Sequence, residues 1–278
     1  MIQNIQDQFQ TTDGLRIHTE SWLPENDAKA VVVIIHGIGE HIGRYRHVAQ
    51  YLALQGYAVY GLDHRTHGRS DGQPRVYITD FNQTVADLKQ YIDIIARSDK
   101  RVFLYGHSMG SFIGLNYLLR HQSEVAGYIS SGCPILLDTL FPPFVARIGN
   151  FLNGFVPTLP LIPLELDAIS RDPAVVAAYK ADPLVHAARV RVRMAVSYNN
   201  ALEPLRRRLA ELYLPILILH GGDDKTTPLS GSQLLYDKVA SSDKTLKIYP
   251  GLYHEIHNEP EQNLVLADIA AWLDAHLS

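Results

Sequence analysis

The chain has almost no cysteine. Cys133 stands alone among 278 residues, which excludes an intrachain disulfide and any cysteine-rich metal site. An excess of charge of one sign is also missing: 25 Lys and Arg against 29 Asp and Glu leave a net charge of -4. No basic block suggests a nucleic-acid partner, and the densest run, Arg206-Arg207-Arg208, reads as a solvated helix face. No apolar run approaches the roughly 18 residues of a membrane span. The opening MIQNIQDQFQTTDG has neither a basic nor an apolar signal region, so a soluble, cytoplasmic chain is expected. What is present, 46% hydrophobic and 19% charged residues, suffices for a well-buried core.

Short apolar runs alternate with longer amphipathic stretches. Leu15–Trp22 alternates with period two and reads as an edge strand. Ala30–His36 is a continuous β-branched run, the pattern of a strand covered on both faces. Strands are predicted at Tyr57–Leu62, Arg101–Tyr105, Val125–Ser130, Leu214–His220 and 244–249. Helices are predicted at Tyr45–Gln55, from Asp80, at Ser108–His121, at 229–240 and from Pro260 to His276. This alternation implies an α/β architecture, a mainly parallel sheet with helices on both faces. Residues 134–210 break the rhythm with a proline-rich, apolar and then charged insert. Its place between two strands puts it above their carboxyl ends, where α/β sheets bind ligands. A core of 1–133 and 211–278 with a helical cap insertion at 134–210 is the expected organisation. Within the cap, Phe141, Phe144, Ile148, Phe151, Leu152 and Phe155 approximate one apolar helix face. Such a face suits either peripheral contact with a lipid surface or packing onto the sheet.

The stretch VFLYGHSMGSFIGLNYLL sets Ser108 between Gly106 and Gly110, where a strand gives way to a helix. G-x-S-x-G recurs by chance, but that context is what a nucleophile elbow requires. The sharp turn strains the serine backbone and presses the residues on either side together, so only very small residues fit. Oxyanion stabilisation in acyl transfer needs two preorganised N–H donors. Met109, after the nucleophile, and Ile38, in the loop His36-Gly37-Ile38-Gly39-Glu40-His41, are the candidates. A base and an orienting carboxylate should follow in chain order. The loop after Leu214–His220 offers Asp223 or Asp224, and the loop after 244–249 offers His254 or His257. His186 and His276 are ordinary surface or packing histidines on this reading.

At this point the residues match a family. HGIGEHIGRY (36–45), DHRTHGRSDG (63–72), YGHSMGS (105–111), KADPL (180–184), LHGGDDKTTP (219–228) and KTLKIYPGLYHEIHNEP (244–260) resemble the monoacylglycerol lipase group of the α/β-hydrolase superfamily. The resemblance spans nearly the whole chain, insert included. It implies the α/β-hydrolase fold, with Ser108 as nucleophile, Asp224 as acid, supported by Pro228 four residues on, and His254 as base. It further implies that Glu40, Arg44 and His257 line a pocket for the glycerol head group, although Glu40 and Arg44, four apart, also suit a loop clamp. Ser111 replaces a common glycine of the family and Ile38 a common smaller residue. The implied activity is hydrolysis of monoacylglycerols through an acyl-enzyme, on a small lipidic ester substrate, without metal or organic cofactor. A lysophospholipase, a general carboxylesterase, or a ligand receptor with a vestigial triad are the alternatives. A dehalogenase is excluded because the elbow carries serine rather than aspartate.

Overall fold

The computed structural model describes residues 1–95, 100–137, 143–163, 165–186 and 189–277. Its centre is an eight-stranded sheet. The first two strands, β1 (Gln3–Gln10) and β2 (Arg16–Leu23), form an antiparallel hairpin. Inward from it lie β4 (Ala58–Leu62), β3 (Val31–Ile35), β5 (Val102–His107), β6 (Gly127–Ser131), β9 (Ile216–Gly221) and β10 (Lys244–Tyr249), in the order β1-β2-β4-β3-β5-β6-β9-β10. From β4 to β10 every pairing is parallel. Every residue of β3, β5, β6 and β9 is buried, which is why these strands read as unbroken apolar runs rather than alternations.

Two apolar layers sandwich the sheet. On one side α2 (Phe81–Ile95) and α3 (Met109–His121) pack Phe81, Leu88, Phe112 and Leu115 onto Val33, Ile35 and Leu104. On the other, α1 (Arg46–Leu54) and α8 (Gln262–Ala275) pack Val48, Leu52, Ile269 and Leu273 onto Val32, Ile34 and Phe103. The remaining core helix, α7 (Leu229–Lys238), follows β9. Successive residues of β3 face opposite layers, so one strand feeds both cores.

Between β6 and β9 the chain inserts α4 (Pro143–Asn153), β7 (Pro160–Pro163), α5 (Pro173–Ala181), β8 (Arg189–Arg191) and α6 (Val192–Arg208). Strands β7 and β8 pair as a small antiparallel ribbon. Asp172 caps α5 by accepting the Ala174 N–H, with Pro173 at the first helical position. The strand expected at Leu15–Trp22 is present as β2 but is not at the edge. The mostly polar β1 covers it, with Ile5 and Phe9 as its two apolar residues and all but Phe9 exposed, so it carries no alternation to read.

Candidate active site

Ser108 sits at the junction of β5 and α3 with φ 53° and ψ -120°, a strained conformation for a residue bearing a side chain. The neighbours hold it there. A Cβ added at Gly106 would lie 2.6 Å from the Gly110 carbonyl oxygen, and one at Gly110 would lie 1.8 Å from that of Ile35. The close approach predicted from the glycine spacing is therefore real, and it locks the elbow against β3. Ser111, in the place of a further glycine, is accommodated by a 2.6 Å hydrogen bond between its hydroxyl and that of Ser130.

Strands β5, β6, β9 and β10 run side by side, so the loops at their carboxyl ends converge. The His254 imidazole lies with Nδ1 2.7 Å from Asp224 Oδ2. Two links bring that ring to the elbow. Ser108 N–H donates to Ser131 O at 2.8 Å, and the next residue, Gly132, lies so close to His254 that a Cβ there would sit 2.9 Å from Cε1. The ring of His107, the residue before Ser108, also lies 4.7 Å from that of His254, tilted by 50°. Ser108 and His254 are 6% and 5% exposed, largely withdrawn from water.

Asp224 is saturated with donors. Its Oδ1 accepts the N–H groups of Thr226 and Thr227 at 2.7 and 2.9 Å, and Oδ2 accepts the Thr227 hydroxyl at 2.8 Å beside the imidazole. Nε2 of His220 stands 3.3 Å from the same oxygen. Burial alone would raise the Asp224 carboxyl, but His254 and these donors hold it well below the usual carboxylate range. Burial likewise pushes His254 down, yet the Asp224 carboxylate outweighs it and leaves the imidazole above its ordinary value. With Asp224 ionised, the proton on Nδ1 faces it and Nε2 is left as the basic nitrogen. Asp223 is exposed and has no side-chain partner among the described residues. The loop therefore presents the second of its two aspartates to the imidazole.

Ile38 lies in the loop after β3 and Met109 at the first position of α3, directly after Ser108; Gly37 packs near enough that its added Cβ would be 3.4 Å from Ser108 Cβ. Among the described residues, neither the Ile38 nor the Met109 N–H has an acceptor.

Glu40 and Arg44 face each other, and His257 packs nearby on Tyr45. Arg44 bonds Glu40 Oε2 at 2.5 Å and grips Glu255 through both terminal nitrogens at 2.7 and 2.6 Å. Its guanidinium lies 4.3 Å over the Tyr179 ring. Glu40 Oε1 accepts the Gly37 N–H at 2.6 Å and the Tyr45 hydroxyl at 2.7 Å. His257 is fully buried, stacked on Tyr45 at 4.8 Å, and burial holds its imidazole well below the ordinary value. Glu40 and Arg44 therefore form the loop clamp that their spacing also suits, with Glu255 as a third member, whereas His257 stands outside it, its Nδ1 3.3 Å from the Tyr105 hydroxyl and its Nε2 without a partner among the described residues. The clamp ties the Gly37–Ile38 loop to Glu255, the neighbour of His254.

Thr227, His220, His107 and Glu255 are the contributors that sequence reasoning passed over. The only signal was adjacency to motif residues, as in D-x-T-T-P and Y-H-E. Among the described residues no group of three or more His, Cys, Asp or Glu is arranged to hold a metal ion.

A mostly parallel eight-stranded sheet, carrying a strained serine at a strand–helix turn and loops converging beyond it, is the α/β-hydrolase fold. The family described as serine aminopeptidase, S33, matches residues 26–261. The monoacylglycerol lipase of Mycolicibacterium smegmatis is 42% identical over 271 residues, 97% of this chain and 96% of that protein. The human monoglyceride lipase is 34% identical over 94% of this chain and 88% of its own length. Among solved structures, a soluble variant of the Saccharomyces cerevisiae monoglyceride lipase in complex with a substrate analog superposes with a TM-score of 0.83 at 27% identity, covering 99% of this chain and 95% of that one. The chain belongs to this hydrolase family, in its monoacylglycerol lipase group.

Proposed function

We propose that the protein hydrolyses monoacylglycerols to fatty acid and glycerol through an acyl-enzyme on Ser108. The chain is a carboxylic ester hydrolase of the monoacylglycerol lipase kind; the residue roles are the part proposed. The observation that carries them is the donor-saturated Asp224 paired at 2.7 Å with His254, whose ring packs beside the strained Ser108 turn. In the first half-reaction Ser108 Oγ attacks the ester carbonyl carbon while Nε2 of His254 takes its proton. The Ile38 and Met109 N–H groups hold the oxyanion. Collapse breaks the carbon–oxygen bond to glycerol, which leaves with the proton from His254. Water, deprotonated by the same nitrogen, then attacks the acyl carbon, and the fatty acid departs as Ser108 regains its proton. Asp224 steadies the imidazolium at each step, and the Glu40–Arg44–Glu255 clamp keeps the oxyanion loop in register with the His254 loop.

Residues 134–210 act as the cap in this reading. Ile148, Phe151 and Phe155 are 49%, 68% and 74% exposed, an outward apolar face suited to a lipid surface. Phe141 and the side chain of Phe144, expected on the same face, lie outside the described residues. No helix among the described residues is long and apolar enough to cross a membrane, so such contact would be peripheral. A panel of monoacylglycerols, lysophospholipids and short p-nitrophenyl esters tests the assignment. It is supported if kcat/KM is highest for monoacylglycerols and overturned if lysophospholipids lead.

A further inference from the structure

Where the insert meets the core lies a pocket of about 520 Å³ that includes none of Ser108, Asp224 and His254. Its lining carries four cationic side chains, Arg75, Lys180, Arg189 and Arg191, together with His186, whose imidazole burial and Arg75 hold below its ordinary value, and no acidic one among the described residues. That is a dense positive lining for a chain whose net charge is -4. It comes from separate pieces of the fold. Arg189 and Arg191 are the two ends of β8, two positions apart, so they share one face of the β7–β8 ribbon. Arg75 belongs to the core loop after β4, Lys180 to α5, and His186 to the segment after it.

Most of this charge is uncompensated. Lys180 pairs with Asp167 at 2.5 Å, but on an aspartate that is itself 80% exposed. Arg75 is held by backbone carbonyls, that of Ser70 at 2.6 Å and that of Gly68. Arg191 donates to the Thr158 carbonyl at 2.6 Å. Among the described residues none of Arg75, Arg189 and Arg191 has a carboxylate within ion-pair distance. Three guanidinia around one cavity repel one another, and a planar fork of donors is best satisfied by a carboxylate or phosphate. The rest of the wall, with Leu166, Val185 and Pro160, is apolar and leaves room beyond a bare ion.

We infer that this pocket binds an oxyanion carried on an alkyl chain, a carboxylate or a phosphate of an amphiphile. The inference rests on the pocket's own residues and stands whether or not the hydrolytic assignment does. A free fatty-acid anion and the phosphate head group of a membrane lipid share that chemistry. The pocket also touches the catalytic side of the molecule, because His186 N–H donates to Gly39 O at 2.8 Å, one residue beyond Ile38.

The test compares the full-length wild type with Arg189→Ala/Arg191→Ala, Arg189→Lys/Arg191→Lys and, as a control of equal charge change, Arg101→Ala/Arg207→Ala. Each is titrated calorimetrically with dodecanoate below its micellar concentration. Each is also floated with phosphatidylcholine vesicles, with and without phosphatidylglycerol, and melted to check folding. The alanine pair should weaken dodecanoate binding on the order of tenfold or more, or abolish the phosphatidylglycerol-dependent part of flotation. Which of the two occurs identifies the free anion or the membrane as the source. The lysine pair should keep part of the binding, the control pair all of it, and added salt should weaken it. Should the alanine pair not fold, the exposed Arg189→Ala alone carries the comparison. Absence of both signals in the wild type, or equal losses in the alanine and control pairs, overturns the inference.

Discussion

Arg44→Met separates two roles that the same residues can serve, and the structure gives its expected size. The Arg44 side chain is 10% exposed, and those of Glu40 and Glu255 are 3% and 4% exposed. One guanidinium is thus the shared counter-ion of two buried carboxylates. Methionine fills a similar volume but leaves both acids unpaired and facing each other. Removing one partner of a buried pair costs about 3–5 kcal/mol. With an unfolding entropy of about 2.1 cal/mol/K per residue, a chain of this length should lose roughly 5–9 °C of melting temperature. The deficit should depend on pH in a stated direction. Burial already raises the Glu40 carboxyl, and without Arg44 it rises further, so protonation relieves the strain and the deficit narrows from pH 8 towards pH 5. Differential scanning fluorimetry reads this, and Glu40→Gln added to Arg44→Met should recover part of the loss. Activity is assayed on a monoacylglycerol and on the p-nitrophenyl ester of the same acyl chain. A clamp that holds the oxyanion loop predicts that both fall in similar proportion. An unchanged melting temperature, with monoacylglycerol hydrolysis alone reduced, would refute the clamp and make Arg44 a reader of the glycerol hydroxyls.

Four further outcomes follow from the same structure. Asp224→Asn should lower kcat by about 10^4, because an amide neither stabilises the imidazolium nor enforces its tautomer, whereas the exposed Asp223→Asn should be nearly silent in the same steady-state assay. The acid limb of kcat/KM should lie above the ordinary imidazole value of about 6.5, because Asp224 raises His254 and the base works only when neutral. Thermal stability should instead decline below about pH 6.5, where the unfolded chain takes up protons that buried His64 and His67, pushed down to about 3 and about 4, refuse. Coincident activity and unfolding limbs would count against a raised His254. Phe151→Asp/Phe155→Asp should reduce flotation with neutral phosphatidylcholine vesicles while leaving turnover of a water-soluble ester close to wild type; unchanged flotation would reduce that face to ordinary surface.

Legibility followed burial. Strands β3, β5, β6 and β9 were readable because both faces are covered, and Gly106 and Gly110 because close backbone approach admits nothing larger. Strand β1 was not readable, since it is mostly polar, is exposed at all but Phe9, and exists by pairing with β2. Glu40 and Arg44 were picked out by pattern, but spacing could not tell whether they face a substrate or each other. The decisive partner, Glu255, comes from 211 residues further along. Thr227 and His220 are similar: Thr227 donates to Asp224 and His220 bonds the Thr227 carbonyl beside it, and such a target is a property of the folded loop. Sequence pattern locates the groups that chemistry requires, while the groups that orient them emerge from packing.

The central claim is that Ser108 is the group that becomes acylated. Intact-mass analysis followed by peptide mapping, after treatment with an alkyl fluorophosphonate, tests it most directly. The account predicts one adduct per chain, on Ser108, formed in step with loss of monoacylglycerol hydrolysis and absent from Ser108→Ala. An adduct at another residue, or full turnover in a protein fully labelled at Ser108, would contradict it.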